Sequence, residues 1–310
     1  MDVIVFALLN GTIYGLLLFM MSSGLTLIFS MMGVLNFAHA SFYMLGAYLA
    51  YTVAEASTFW AALFLAPVLV GLLGMAVERW GLRKVHANGH VAELLFTFGL
   101  VYVIDELVKI VWGRTAVNYR VPEELNFPLM TLFGADFPAY RAFILVVAAA
   151  MLGALWFILN RTRAGTVIRA ALVEPDMVGC LGHNVPAIFM SVFGIGCALA
   201  GLAGVIGGNT FITDPAMAAQ MGPIVFVVVV LGGLGSLAGA FMAAMLIGYL
   251  QTAAISIDWS MADIFAAAGV TEATEFGRIS VASLSTAIPF LLLVLVLIAR
   301  PSGLMGARES

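Results

Sequence analysis

Seven apolar runs, each close to the roughly 20 residues a helix needs to cross the hydrocarbon core of a bilayer, dominate this chain. They fall near 3–29, 37–54, 59–78, 91–112, 142–160, 187–208 and 281–299. An eighth stretch, 221–254, is also apolar but too long for one simple crossing, and GGLGSLAG (Gly232 to Gly239) interrupts it. Charged residues make up only 10% of the chain. A soluble domain carries about 25%, so the solvent of this chain is mostly lipid. The expected fold class is an all-α polytopic membrane protein. It has about eight transmembrane helices, with a short or re-entrant glycine-rich pair, in a single transmembrane domain spanning 1–310. The chain begins Met1-Asp2 and runs straight into a long apolar segment, which reads as a span rather than a cleavable signal.

The basic residues orient the spans. Arg79, Arg83 and Lys84 follow the third run, Arg161, Arg163 and Arg169 the fifth, and Arg300 and Arg308 the last. The positive-inside rule places those ends in the cytoplasm. The connectors 51–58 and 255–280 are acidic or neutral apart from Arg278, which suits the outside. The connector 113–141 falls outside by parity, despite Arg114, Arg120 and Arg141, and reads as an external cap or a docking surface. Parity then requires 221–254 to go in and return. It is either a pair broken at the glycines or a re-entrant hairpin. Non-helical backbone at membrane depth survives only when packed in protein or lining a water-filled cavity. Gly232, Gly233 and Gly235 therefore have two readings: beside a solute path, or in a packing hairpin. The first run carries Gly11, Gly15, Ser22, Ser23 and Gly24 and reads as a segment split into two half-helices. Gly11 with Gly15, Gly204 with Gly208 and Gly235 with Gly239 are small residues four apart, which let helices approach closely in lipid.

The search for catalytic motifs is negative. A phosphate-binding loop needs a Gly-Lys-Ser/Thr run. The only lysines are Lys84 and Lys109, and neither follows glycine, so this chain lacks the standard means to hydrolyse ATP. No metalloprotease or serine-hydrolase motif is present. His39, His86, His90 and His183 show metal-ligand spacing only at His86 and His90, which read as a polar turn. Cys180 and Cys197 read as free thiols. Asn36 and His39 lie three apart, and polar groups in an apolar layer are costly unless paired. They read as a polar patch on a solute path, or as hydrogen bonds that fix a helix turn. Asp105 and Lys109 lie four apart and share a helix face. They read as a structural pair, a docking site or a substrate contact. Glu93 falls in a first helical turn, where the macrodipole favours a carboxylate.

One polar segment stands out: RTRAGTVIRAALVEPDMVGCLGHNVP, Arg161 to Pro186. It reads as a short amphipathic helix capped by Gly182, with Glu174 and Asp176 exposed. It resembles the ATPase-coupling loop of permease subunits of bacterial ABC importers. Arg169-Ala170-Ala171, the acidic Glu174 and Asp176, and Gly182-x-Asn184 resemble the branched-chain amino acid (LivH-type) version. Gly24 to Ala50, Val229 to Ala240 and Arg300 to Gly306 resemble further blocks of that family, in the expected order. Ser30 and Ala40 stand where glycine is expected, and His183 where an aliphatic residue is expected.

The resemblance implies a permease that moves branched-chain amino acids or a related small polar solute inward by ATP-driven alternating access. It implies four kinds of partner: a second homologous permease subunit, two cytosolic ABC ATPase subunits, a periplasmic substrate-binding protein and the lipid bilayer. It implies no cofactor bound by this chain, with ATP and Mg used by the partner ATPases. It implies a multi-pass protein of the bacterial inner membrane. Arg169, Ala170, Ala171, Glu174, Asp176 and Gly182 would form the coupling contact, with Asn36, His39, Gly232, Gly233 and Gly235 near the path. Two other classes remain. An ion-coupled secondary transporter would carry buried midplane carboxylates and an inverted repeat. An intramembrane enzyme would carry a nucleophile–base constellation. Neither signature is evident in the sequence.

Overall fold

A computed structural model of the chain describes residues 2–86, 88–132, 135–256 and 280–306. Arg278 and Arg308, and most of the connector 255–280, lie outside the described residues. The chain is a bundle of helices. α1 (Asp2–Met32), α2 (His39–Ala56) and α3 (Phe59–Val77) come first; α3 runs through a π-helical turn (Glu78–Leu82) into α4 (Arg83–His86). α5 is His90–Trp112. A short antiparallel hairpin, β1 (Pro128–Leu132) with β2 (Ala135–Pro138), interrupts the all-helical pattern before α6 (Ala139–Arg161). α7 (Arg163–Val173) and α8 (Pro175–Cys180) lead to α9 (Val185–Gly208). α10 (Met217–Gly232) and α11 (Leu237–Ser256) form a pair, and α12 (Val281–Leu284) precedes α13 (Ile288–Ala299).

Among the described residues six helices are long and apolar enough to cross a bilayer, α1, α6, α9 and α11 among them, so the protein is a polytopic all-α membrane protein. Two others fall below that measure for physical reasons. α5 carries Glu93, Asp105, Glu106 and Lys109. α2 packs against protein rather than lipid, with His39, Ser41, Tyr43 and Tyr48 all buried.

The centre of the bundle is knit by glycine. Gly194 of α9 packs on Gly71 of α3, Gly196 on Gly24 of α1, and Gly201 on Gly46 of α2. Gly204 sits against the backbone of Tyr43 and Ala47 in α2. Gly11 and Gly15 of α1 meet Gly248 of α11. Two of the three expected small-residue pairs therefore make close contacts within this subunit. The third does not form a helix face: Gly235 has φ +83° and lies in the turn between α10 and α11.

One further expectation needs correction. α1 is one continuous helix rather than two halves. Ser22 and Ser23 bond back to Phe19 O (3.2 Å) and Met20 O (2.9 Å), so their hydroxyls are satisfied without breaking the helix. Of the two alternatives for 221–254, the structure shows the helical pair broken at the glycines. It is a 16-residue helix and a 20-residue helix joined at Gly233–Ser236. At about 1.5 Å per residue α10 is about 24 Å long, short of a full crossing.

Candidate functional site

The polar segment after α6 folds back at once. Thr162 caps α7 by accepting from Gly165 N (3.1 Å), and Gly165 lies directly on the Ile158 and Leu159 carbonyls of α6. A side chain at Gly165 would meet that backbone. α7 lays Ile168 on a small apolar cluster of Leu27, Met31, Leu155 and Val192. Ala171 is 1% exposed, so it belongs to this chain's own core, while Ala170 faces out. Arg169 donates to Asn160 Oδ1 at 3.0 Å.

The single helix expected here is two. Proline has no N–H and disfavours helical backbone in the residue before it, so Pro175 ends α7 and starts α8. Glu174 sits at the break with φ −140° and ψ 73°. Glu174, Asp176 and Gly182 are exposed, and Gly182 ends the unit with φ +88°. Sequence reading missed an apolar row: Val173, Met177 and Leu181, four apart, are 77%, 65% and 78% exposed. The i, i+4 spacing was the available signal.

This loop is tied to α3 by a residue read only as an orientation signal. Arg83 donates to both carboxylate oxygens of buried Glu78 (3.0 and 2.6 Å) and to Pro186 O at the start of α9 (2.8 Å). Residues five apart face each other in a π-turn, which is why the local register matters. Arg83→Ala strands a buried carboxylate, which costs about 1–3 kcal/mol. The thermal midpoint of the purified protein should fall, and a Glu78→Leu/Arg83→Leu pair should recover part of the loss.

At the same end, Gly232, Gly233 and Gly235 form the α10–α11 turn. Its partner is the chain's own tail: Leu304 N donates to Leu231 O (2.8 Å) and Met305 N to Gly232 O (3.0 Å). Those donors satisfy the last carbonyls of α10. Gly233 has φ +101° and a side chain there would strike Gly306, so glycine is required twice over. Asn36 and His39, expected on one helical face, are split by the start of α2. Asn36 Oδ1 accepts from Ala38 N (3.1 Å), and the His39 Nε2 pairs with Met21 O of α1 (2.9 Å). Both residues are 2% exposed, and their other nitrogens, Asn36 Nδ2 and His39 Nδ1, are buried without a partner. His86 and His90 both turn onto Glu93. Lys109 pairs with Asp105 at 2.5 Å, with Glu106 3.6 Å away.

The opposite end of the bundle holds a cavity of about 630 Å³ between α1, α6, α9, α11 and the connector after α5. Ile13, Leu17 and Ile144 supply an apolar wall. Arg141 lines it from the first turn of α6 and donates to Asn10 Oδ1 at 2.6 Å. Gln251 donates through Nε2 to Ser285 O (3.0 Å), and Asn209 through Nδ2 to Tyr140 Oη (3.3 Å). Each leaves a buried carbonyl oxygen, Gln251 Oε1 and Asn209 Oδ1, with no partner. The amide orientations are forced. Ser285 O is a carbonyl and can only accept, and Tyr140 Oη already gives its proton to Ile206 O (2.9 Å). Nearby, Tyr119 Oη donates to Val205 O, and burial pushes its phenol above the ordinary value.

Residues 7–298 match the family described as branched-chain amino acid transport system / permease component. The chain belongs to this family. LivH of Salmonella typhimurium, a high-affinity branched-chain amino acid transport system permease protein, is 27% identical over 315 residues, covering 97% of this chain and 94% of that protein. BraD of Pseudomonas aeruginosa, of the same description, is 26% identical over 315 residues, covering 97% and 95%. The fructose import permease protein FrcC of Rhizobium meliloti is 31% identical over 134 residues, 40% of this chain and 37% of that one. No solved structure matches the chain. As a member of this permease family it is a transport subunit rather than an enzyme. The similarity runs through both the charged loop and the cavity-lining helices.

Proposed function

We propose that this permease is the membrane subunit of an ATP-driven importer for leucine, isoleucine, valine or a related small amino acid, in a bacterial inner membrane. A second homologous permease, two cytosolic ABC ATPases that hold ATP and Mg, and a periplasmic binding protein complete the assembly. The loop end is cytoplasmic, because it gathers Arg79, Arg83, Lys84, Arg161, Arg163, Arg169 and Arg300. The observation that carries the reading is the α7–α8 unit. An apolar row exposed on a water-facing helix pair is an unpaid cost unless a partner covers it. The row is flanked by Arg169, Glu174 and Asp176, which give polar contacts around an apolar centre. ATPase binding and release there biases the bundle between inward- and outward-open forms.

The test is reconstitution with the partner ATPases, second permease and binding protein. ATP inside the ATPase-facing compartment should drive accumulation of an aliphatic amino acid, and an imposed proton or sodium gradient alone should not. Cys180 is exposed on α8 and Cys197 is buried, so an impermeant maleimide reports sidedness. Labelling of Cys180 should occur from the cytoplasmic face. Labelling from the other face, or gradient-driven uptake without ATP, overturns the reading.

A further inference from the structure

We infer that the far-end cavity is a binding site for a zwitterionic aliphatic amino acid, a resting place for solute within this subunit; the inference rests on the importer reading above. The cavity's volume, about 630 Å³, lies in the roughly 300–1,000 Å³ range of small-molecule sites. Its chemistry has two poles and a greasy wall.

The positive pole is Arg141. No carboxylate among the described residues lies within ion-pair distance of it. It stands in the first turn of α6, where the helix dipole is also positive. A cation there is unfavourable by itself and is relieved by an anion. The negative pole is supplied by the amides of Gln251 and Asn209, which line the cavity and whose oxygens are shut away from solvent, so a ligand reaches them as the side chains turn. Gln251 is 6% exposed, and its oxygen, like that of Asn209, is buried without a donor. Both amides are held by their NH₂ groups, so what they have left to offer is acceptance. An ammonium donor satisfies them, a carboxylate satisfies Arg141, and Ile13, Leu17 and Ile144 take a hydrocarbon side chain. A sugar, which lacks both charges, leaves Arg141 unmatched. In the proposed orientation the cavity lies at the periplasmic end, where a binding protein releases its load.

The test uses the assembled transporter in nanodiscs without binding protein, and reads binding of radiolabelled leucine. 3-Methylbutylamine and 4-methylpentanoate, which each keep one pole, serve as competitors. Arg141→Gln keeps a donor for Asn10 and removes the charge; it should weaken leucine by roughly tenfold or more and leave the amine's competition unchanged. Gln251→Met should weaken leucine and the amine and spare the acid. Ile255→Trp, an exposed position on the cavity rim, should block leucine even if a polar variant fails to assemble. Wild-type leucine binding in these variants, or no leucine binding in the unaltered transporter, overturns the site while the importer reading stands on ATP-driven uptake. Failure of the complete system to accumulate any aliphatic amino acid overturns the importer reading, and this site with it.

Discussion

Gly204→Leu should leave no monodisperse permease after detergent extraction. Gly204 lies on the α9 face that packs against α2, and a Cβ at that position would strike the Tyr43 carbonyl and come within 2.8 Å of Ala47 N. These are backbone atoms in the buried N-terminal half of α2, so no side chain can swing aside. α9 is also pinned on its other faces, by α3 at Gly71 and by α1 at Gly24, and cannot retreat as a rigid rod. Even one added methylene in a packed core costs about 1–3 kcal/mol. The sign makes the smaller Gly204→Ala informative. Alanine is a better helix former than glycine by about 1 kcal/mol, so propensity alone predicts a gain. A lower thermal midpoint in Gly204→Ala must therefore come from packing. Gly99 and Gly153 lie in helices with open space at the Cβ position. Alanine there should be neutral or stabilising. A Gly204→Leu protein that elutes and melts like wild type would refute the glycine-knit centre.

The sequence announces the spans because lipid imposes them: a lipid-facing helix must be apolar for its whole length. Thus α3, α6 and α9 were legible to within a few residues. What it conceals is set by protein–protein contact. α2 is the least oily of the central helices because helices surround it, so its Tyr43 and Tyr48 give no hydropathy signal for their burial. The continuity of α1 was hidden because a serine's hydroxyl can bond within its own helix as readily as it can break one. The Glu78–Arg83 pair was hidden because five-residue spacing means nothing until a π-turn forms. The α7–α8 segment was legible as polar and charged. Its break at Glu174 was legible in Pro175, though the single-helix reading passed over it. The far-end cavity was not legible at all. Asn10, Arg141, Asn209 and Gln251 come from four separate helices or their ends, and only the folded bundle brings them together.

Met177→Asp combined with Val173→Asp should abolish ATP-driven uptake while sparing the membrane fold. Both side chains are more than half exposed, so a carboxylate there stays hydrated in the isolated permease and costs little. Covered by a partner, the same carboxylate must shed its water without a counter-ion. The few residues that dominate a protein interface each carry 2 kcal/mol or more, roughly a thirtyfold loss of affinity. Two such changes in one patch should strip the ATPase from the purified complex. Arg169→Ala and Glu174→Ala should act more weakly, because these polar groups rim the patch and stay partly solvated. Arg169 has a second role that must be separated. It holds Asn160 at the end of α6, so Asn160→Ala serves as the control for loop position. If Arg169→Ala loses more coupling than Asn160→Ala, the difference belongs to the partner contact. Co-purification of the ATPase and its stimulation by loaded binding protein read the outcome, and unchanged maleimide access at Cys180 in the isolated permease is the control for the fold of the loop. Full ATPase retention with normal uptake in the double variant would remove this helix pair from the coupling path. The force would then have to enter through the α10 turn and the tail that covers it.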